Sequence, residues 1–216
     1  MKLVTRAVSF LYRFCRIGVV TVRAVPGTGE LVRFADSPIA TRGCMAKLSQ
    51  IQVSFAPAED RLLLRVSTDE HTEFQFWLTR RYVRLLWPIL EQMVAVTPAD
   101  HPSAPTHARA AIVEFEQASA LASADFDTQY DAEGATRPLG QTPALVTRIQ
   151  HKCSNTGAAV LCMHPAEGLG IEVALDRHIL HSLRALLRNA VAKAQWDLAL
   201  PTEQTTVVHE VSETLN

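Results

Sequence analysis

Alternating apolar and polar positions predict three consecutive β-strands in the first half of the chain. The period of two runs through residues 50–57, 61–68 and 72–79. Its apolar positions include Ile51, Val53, Phe55, Phe74, Phe76 and Leu78. From Arg80 the apolar positions recur every three or four residues, which predicts a helix over 80–94 that Thr79 caps. Pro88 lies inside this helix, so we expect a kink or a broken end near the preceding turn.

The same order of patterns returns in the second half of the chain. Strand patterns cover residues 144–153, 157–164 and 168–175, and a helix pattern capped by Asp176 covers 177–196. A shift of 97 residues places Phe74, Phe76, Leu78, Thr79, Arg80, Val83, Leu86, Leu90 and Val94 on Ile171, Val173, Leu175, Asp176, Arg177, Leu180, Leu183, Leu187 and Val191. We therefore predict an α+β fold of duplicated β-β-β-α units, antiparallel meanders each with one packed helix, related by a pseudo-two-fold axis.

The segments around these two units differ from them in pattern and composition. The first unit spans 45–97 and the second 144–198, while 98–143 holds a Pro-rich linker, a helix over 108–124 and a long loop. In that helix we expect one side to carry Ala111, Phe115 and Ala118, and a solvated face to carry Glu114 and Glu116. The polar residues 199–216 predict a flexible tail.

Residues 1–44 show neither a clean helical period nor a clean strand period. Strand pattern begins directly after Met45, so one interpretation takes Met45 as the true start and the preceding residues as a mis-annotated extension. The alternatives are an Arg-rich, acid-poor organellar presequence and a disordered basic tail. No function is assigned to these residues.

Composition and charge fit a globular protein without a transmembrane segment. The 216 residues are 48% hydrophobic and 20% charged, and no run of about 18 uninterrupted apolar residues occurs. Four cysteines in a chain of this length suit a reducing compartment, so we predict a cytoplasmic protein. Residues 1–44 carry seven of the 21 basic residues and two of the 22 acidic ones, which leaves 14 basic against 20 acidic in the rest. This acidic body argues against strong non-specific DNA binding, although it leaves room for a local basic face.

The stretch HKCSNTGAAVLCMH, residues 151–164, carries two histidines and two cysteines around one predicted hairpin turn. With a two-residue turn at 157–158, Cys153 would lie opposite Cys162 and His151 opposite His164, a Cys2His2 set suited to zinc. With a type I turn at 154–157 and Gly157 in a left-handed bulge, the pairing shifts by an odd number. The second pair then crosses to the other face of the sheet.

The apolar pattern favours the second register of this hairpin. It places on the core face Ile149, Cys153, Leu161 and Met163, and on the other face Arg148, Gln150, Lys152, Cys162 and His164. We therefore predict no metal site, a buried Cys153 and a half-exposed Cys162 thiol. A zinc-dependent or thiol-dependent protein that uses His151, Cys153, Cys162 and His164 is kept as an alternative.

Motifs of catalysis are absent from the sequence. It contains no Gly-rich phosphate loop, no GxSxG turn, no HExxH helix and no paired acid and base, which predicts a protein without enzymatic activity or cofactor. His178 and His181 lie three residues apart on the last predicted helix, where we expect a surface pair.

The outward face of the first predicted meander offers a candidate nucleic-acid surface. Because Phe74, Phe76 and Leu78 point inward, the residues expected to point outward are Leu63, Arg65, Gln75, Trp77 and Thr79. The matching face of the second unit offers Arg148, Gln150 and Lys152. A tryptophan beside an arginine could stack a base of a single strand. In the alternative, the helix between the units or the other sheet covers this face and Trp77 belongs to the core.

Three stretches, EFQFWLTRRYVRLLWPIL (73–90), EFEQASALASADFDTQY (114–130) and LVTRIQ (145–150), resemble a family of uncharacterised bacterial proteins over about residues 46–200. The resemblance implies a bacterial origin. The doubled meander-plus-helix architecture is also similar to the Whirly-type single-strand-binding proteins, which have four strands per copy where this chain has three, and a lysine-rich sheet motif that it lacks.

These observations predict a non-enzymatic bacterial binding or regulatory protein. Its most concrete form is nucleic-acid associated and uses the sheet face of Arg65, Trp77, Arg148 and Lys152. The alternative is an assembly or adaptor module whose helix docks on another protein through Arg80, Arg81 and Arg84 beside Tyr82 and Trp87. The expected partner is another protein or single-stranded nucleic acid, with no membrane and with homo-oligomerisation left open.

Overall fold

The computed structural model describes residues 10–13, 21–26, 46–96, 106–122, 130, 133–153 and 159–200. Its strands are β1 (Phe10–Arg13), β2 (Thr21–Pro26), β3 (Ala46–Ala56), β4 (Arg61–Thr68), β5 (Glu73–Leu78), β6 (Ala144–Cys153), β7 (Ala159–Pro165) and β8 (Leu169–Leu175). Its helices are α1 (Arg80–Val96), α2 (Thr106–Ala122) and α3 (Arg177–Lys193). The fold is therefore α+β, as the sequence predicts. Within these ranges, no helix combines the length and the apolar character needed to cross a membrane.

Strands β3, β4 and β5 form an antiparallel meander whose alternating pattern follows from the pleat. Leu64 lies opposite both Val53 and Phe76, so the three side chains share the buried face. Phe76 is fully buried, and truncating a phenylalanine in such a core costs about 3–5 kcal/mol. The predicted strands 61–68 and 72–79 correspond closely to β4 and β5, while β3 begins before the predicted 50–57.

Strands β6, β7 and β8 form a second antiparallel meander. Leu161 lies opposite Val173, and both side chains are buried. The two meanders meet where β5 and β6 run parallel, with Phe76 paired to Ala144, so the sheet is mixed. Three antiparallel strands followed by a helix therefore occur twice along the chain, as β3–β5 with α1 and as β6–β8 with α3.

Strand β2 joins the two ends of this sheet. Val22 lies opposite Val173 of β8 and opposite Ala46 of β3. Hydrogen bonding therefore runs in a closed circuit through seven strands, β3-β4-β5-β6-β7-β8-β2, and β1 is attached to β3. Such closure leaves fewer strand edges open to other chains. Strands β1 and β2 belong to residues 1–44, most of which lie outside the described residues, and a translation start at Met45 stays a prediction.

Helix α1 packs one face against the sheet and continues unbroken through Pro88. Thr79 caps it as predicted, because the Tyr82 amide donates to Thr79 Oγ1 (3.3 Å) and the Val83 amide to the Thr79 carbonyl (3.0 Å). The buried face carries Val83, Leu86, Leu90, Met93 and Val94. Pro88 lies on the exposed side, so the expected broken end does not occur.

Helix α3 is buried around most of its circumference. All nine residues from Ile179 to Leu187 are buried, and the helix contacts α1, α2, β3 and β8. Asp176 caps it as predicted, since the Ile179 amide donates to Asp176 Oδ1 at 2.8 Å. Three of the buried side chains are polar, namely His181, Ser182 and Arg184. Burial of such groups is costly unless other polar groups satisfy them.

Two ion pairs join α3 to the other helices. Arg177 donates from Nε to Glu116 Oε2 of α2 (2.5 Å) and from Nη1 to the Val94 carbonyl of α1 (2.6 Å). Arg184 donates from Nη2 to Glu91 Oε1 of α1 at 2.6 Å. The Arg177 and Glu116 side chains are only 12% and 8% exposed, so water screens this pair weakly. These contacts fix α1 and α2 relative to α3.

The predicted orientation of α2 is wrong. Glu116, expected on a solvated face, is buried against Arg177, whereas Phe115 is 69% exposed together with Ala111 and Ala118. Glu114 is exposed as predicted, and Ala111, Phe115 and Ala118 share one side of the helix, which is the exposed one. Helix α2 carries alanines on several sides, so its apolar pattern does not define one buried face. The ion pair of the Glu116 carboxylate with Arg177 determines which face is buried.

His181 lies inside this helix junction rather than in the predicted surface pair. Its side chain is fully buried, and neither ring nitrogen forms a hydrogen bond with the described residues. Burial, together with the positive charge of Arg184 and Arg177 and with His178, lowers the pKa of His181 from 6.5 to about 4. The Glu116 carboxylate of α2 faces the ring at 3.8 Å. His181 therefore stays neutral in the folded protein near pH 7.

Removing the buried carboxylate should destabilise the helix junction. Glu116→Ala leaves Arg177 buried without its anionic partner, and we expect a loss of about 3 kcal/mol in the free energy of unfolding. The matched control is Glu114→Ala on the exposed side of the same helix, expected to change that free energy by less than about 0.5 kcal/mol. Urea denaturation of both variants measures the difference, and equal values would show that the ion pair does not hold α2.

The low pKa of His181 should make the protein less stable as the pH falls from about 6.5 to about 4. In that window the unfolded chain takes up a proton that the folded chain does not, whereas above it both states hold a neutral imidazole. The maximum loss from this group is about 3 kcal/mol. Urea denaturation between pH 7 and pH 4.5 should show a flatter profile for His181→Leu than for the wild type. The exposed control His151→Gln should keep the wild-type profile, and identical profiles for all three would contradict the assignment.

Candidate protein-docking groove

Helix α1 presents the three arginines that the sequence singled out on its exposed side. Arg80, Arg81 and Arg84 all lie at the surface near the start of the helix. Arg80 donates from Nη2 to the Asp197 carbonyl at 3.0 Å, which ties the helix to the segment after α3. Neither Arg81 nor Arg84 forms a hydrogen bond or an ion pair with any residue that the structure describes. Both are therefore available to an anionic partner.

A groove of about 720 Å³ runs between α1 and residues 197–200. We call it the arginine groove. It is lined by Arg80, Arg81, Arg84, Trp87, Pro88, Glu91, Gln92, Asp197, Leu198, Ala199 and Leu200. Cations therefore lie along its wall at the beginning of α1, where the Asp197 carbonyl accepts from Arg80, while Pro88 and the Glu91 carboxylate lie further along the helix.

The second wall of the groove is held in place by Trp196. This ring is buried, donates from Nε1 to Asp60 Oδ1 at 2.8 Å, and packs edge-on against Phe55 with 6.2 Å between ring centroids. Leu198 and Leu200 then follow in successive turns, because each amide donates to the carbonyl two residues earlier (2.8 Å). Leu198 and, within the predicted tail, Leu200 are thus packed against the core, while 201–216 lie outside the described part of the chain.

Trp87 lines the groove but is not an exposed docking residue. It is buried, and two guanidinium groups of α3 lie near its ring, with 5.6 Å from Arg184 and 5.4 Å from Arg188 to the ring centroid. Tyr82, also expected beside the arginines at the surface, is buried too. The sequence alone did not bring Arg184 and Arg188 to this place. The signal in the sequence was their i, i+4 spacing on α3, which places the two side chains next to each other on one face of the helix.

The position of the exposed arginines on α1 is electrostatically unfavourable for the helix. The start of a helix carries a partial positive charge. A cation near it at the surface therefore lowers the stability of the helix, by about 0.3–1 kcal/mol. No acidic residue lies in the first turn to offset it. Arg81, in the first turn, therefore stands where it weakens the fold, and an anion would find there both side-chain cations and the positive end of the helix.

The predicted nucleic-acid face on the first meander is partly covered. Arg65 donates to Gln52 Oε1 (3.4 Å), lies over the Tyr130 ring at 5.4 Å, and is 3.8 Å from the buried carboxylate of Glu73. That carboxylate also accepts from Arg137 Nε at 2.7 Å. Tyr130, Thr136 and Arg137 therefore supply cover on this face.

The burial of the remaining residues on this face follows from that cover. Gln75, predicted to point outward, is buried, and Trp77 is half-buried next to Leu145, which is 39% exposed. The prediction of an open face is therefore wrong at Gln75. Burial and the nearby Glu73 raise the pKa of the Tyr130 phenol, so this hydroxyl stays protonated.

The cations of the second meander are also engaged with protein groups. Lys152 donates from Nζ to Glu172 Oε1 at 2.6 Å, an exposed pair of modest strength. Arg148 is half-buried opposite His164 on the same face. A phosphate backbone would have to compete with Glu172 for Lys152 and with Glu73 for Arg65. This face therefore offers less to an anion than the arginine groove does.

The strands of the His-Cys hairpin pair in the register that the apolar pattern favours. Cys162 lies opposite Gln150, and His164 lies opposite Arg148, which confirms the odd-numbered shift. His151 therefore lies on the other face of the sheet from Cys162 and His164. No group of three or more histidine, cysteine or acidic side chains in the described ranges is placed to bind a metal. The predicted turn at 154–157 and the side chain of Cys153 lie outside the described residues.

The environment of Cys162 corrects one detail of the prediction. Its thiol, expected to be half-exposed, is fully buried, and burial raises its pKa, so it stays protonated and unreactive. The thiol points to Glu172 Oε1 at 3.8 Å. On the same strand, Gly170 leaves room for His164, because a Cβ there would lie 2.3 Å from His164 Nδ1 and 2.5 Å from the Met163 carbonyl oxygen. The covering residues on β8 could not be read from the hairpin sequence alone.

Comparison with known proteins adds no relative to this geometry. No family model, no curated protein and no solved structure gives a significant match to the chain. The resemblance to an uncharacterised bacterial family and to the Whirly-type proteins therefore stays a prediction, and function has to be argued from the residues of the chain itself.

Proposed function

We propose that this protein is a non-enzymatic adaptor that binds a partner protein in the arginine groove. The observation that carries the proposal is the pair Arg81 and Arg84, exposed at the edge of a groove and without a hydrogen bond or ion pair to the described residues. Arg81 in the first turn of α1 weakens the helix, which a binding role accounts for and a folding role does not.

A protein partner fits the groove better than a nucleic acid does. Leu198, Leu200 and Pro88 give it an apolar part, and Glu91 and Asp197 would repel a strand that carries a phosphate at every residue. Single-stranded nucleic acid on the sheet face is the second candidate. A half-buried Trp77 beside the exposed Leu145 favours it, and the ion pairs of Arg65 and Lys152 count against it.

We also infer that the two β-β-β-α successions arose by duplication and are related by a pseudo-two-fold axis. Shifted by 97 residues, the bounds of β6, β7, β8 and α3 agree with those of β3, β4, β5 and α1 to within one residue at every end. A capping side chain precedes the helix in both cases, Thr79 before α1 and Asp176 before α3. Irregular register occurs early in both first strands, between Leu48 and Gln50 and between Val146 and Arg148.

The adaptor proposal and its rival can be separated with two matched variants. Arg81→Gln/Arg84→Gln removes two cations from the groove, and Arg148→Gln/Lys152→Gln removes two cations from the sheet face. Purified full-length baits are compared in nuclease-treated lysate of the source cells, and recovered proteins are then tested as purified binary complexes. We expect a partner that the first variant loses by at least about tenfold in affinity and the second variant keeps. The nucleic-acid candidate would be favoured instead if the partner is lost only with the second variant. It would also be favoured if the partner is recovered from untreated lysate but not from nuclease-treated lysate.

The groove variant should lose binding without losing stability. Because the positive charge of Arg81 adds to the partial positive charge at the start of α1, we expect the double replacement by Gln to raise the free energy of unfolding by about 0.3–1 kcal/mol, or to leave it unchanged. Urea denaturation at low ionic strength measures this, and the gain should shrink in about 1 M salt. A clear loss of stability would assign the two arginines a folding role and would remove the main argument for the adaptor.

A further inference from the structure

We infer that the arginine groove selects an extended peptide segment with carboxylates two and three residues away from one large apolar side chain. This inference rests on the proposed function and specifies the partner that the groove accepts. It follows from three features of the lining, namely the two exposed cations Arg81 and Arg84, the apolar side chains of the groove, and the carboxylates of Glu91 and Asp197.

The cationic part of the groove fits carboxylates. Arg81 and Arg84 are separated by three positions, so their side chains are neighbours on the helix surface. A guanidinium group binds a carboxylate through two parallel hydrogen bonds, and this geometry is specific as well as strong. Arg80 already donates to the Asp197 carbonyl, which leaves two arginines for two carboxylates.

The apolar part of the groove fits a single large side chain. Pro88 is exposed on α1, and Leu198 and Leu200 are half-buried on the facing segment. The buried Trp87, held near two guanidinium groups of α3, lies among them as fixed lining. An apolar side chain inserted here would remove apolar surface on both walls from water without requiring Trp87 to move.

The spacing between the two parts follows from the geometry of α1. Pro88 lies four positions after Arg84 and seven after Arg81, which correspond to rises of about 6 Å and about 10 Å along the helix. An extended peptide advances about 3.3 Å per residue, so the same distances span about two and about three residues. Carboxylates at these two separations therefore match the rises to Arg84 and Arg81. Because successive side chains of an extended segment point to opposite faces, the two flexible arginine side chains meet them from either side of the segment.

The carboxylates of the lining make the groove selective against a uniformly acidic segment. Glu91 lies beyond Pro88 on α1 and is held by Arg184, while Asp197 is exposed on the facing segment. Negative charge on the partner is therefore attracted by Arg81 and Arg84 and repelled by Asp197 beside Arg80 and by Glu91 beyond Pro88. This mixture of charges distinguishes the expected segment from a generic polyanion.

Anisotropy with fluorescein-labelled peptides of twelve residues tests the inference on the full-length protein. The probe carries two adjacent glutamates, one serine and one leucine in a Gly/Ser background, in both chain directions. Comparison peptides replace the leucine by serine, replace the glutamates by lysines, move the glutamates to six and seven residues from the leucine, or carry glutamate throughout. We expect one direction of the probe to bind at least about fivefold more tightly than every comparison peptide. Arg81→Gln/Arg84→Gln should weaken it at least about tenfold, and Arg148→Gln/Lys152→Gln should not.

A second variant tests the apolar contact independently of charge. Leu200→Ser should weaken binding of the leucine probe but not of the serine peptide, which gives a coupling between the two side chains in a double-mutant cycle. Equal binding of all acidic peptides, no effect of the groove variants, or no binding up to about 1 mM would overturn the inference. If a partner from the lysate still depends on Arg81 and Arg84, the adaptor proposal stands and only the stated segment is wrong. If no partner depends on them, the adaptor proposal itself fails.

Discussion

The buried charges of helix α3 are the constraint on which the arrangement of the helices depends. Arg177 binds Glu116 of α2 and the last-turn carbonyl of Val94 in α1, and Arg184 binds Glu91 of α1. Buried ion pairs of this kind contribute little net stability, since desolvation offsets much of the attraction. An apolar interface would allow several arrangements of the helices, and we attribute the selection of one of them to these ion pairs. The selected arrangement determines which face of α1 is exposed to water.

The arginine groove is a consequence of the same constraint. Arg184 connects Glu91 to the ring of Trp87, so the interior side of α1 is occupied and its arginines near the start of the helix are left at the surface. The opposite wall is held by a separate contact, the hydrogen bond between Trp196 and Asp60. Because both walls are fixed by side chains in the core, the groove exists before a partner arrives, which lowers the conformational cost of binding.

The sequence predicted the parts of this fold that depend on local pattern. The strand over 144–153, the Asp176 cap and the odd register of the hairpin could be read because a pleat or a helix turn imposes its own period. It could not predict that Glu116 turns inward, because the alanines of α2 leave its orientation to a residue 61 positions away. Nor could it predict the groove, whose walls are joined by a contact across 117 positions, from Arg80 to Asp197.

The arginines of this protein have different roles because their surroundings differ. Arg177 and Arg184 are enclosed, each bound to a carboxylate, and moving either would leave a charge without compensation in the helix junction. Arg81 and Arg84 lie at the surface, and the start of α1 is unfavourable for the charge of Arg81. The first pair therefore fixes the arrangement of the helices, whereas Arg81 weakens the fold. An unfavourable charge that does not stabilise the fold is best explained by an anionic partner, since the same positive charge attracts such a partner.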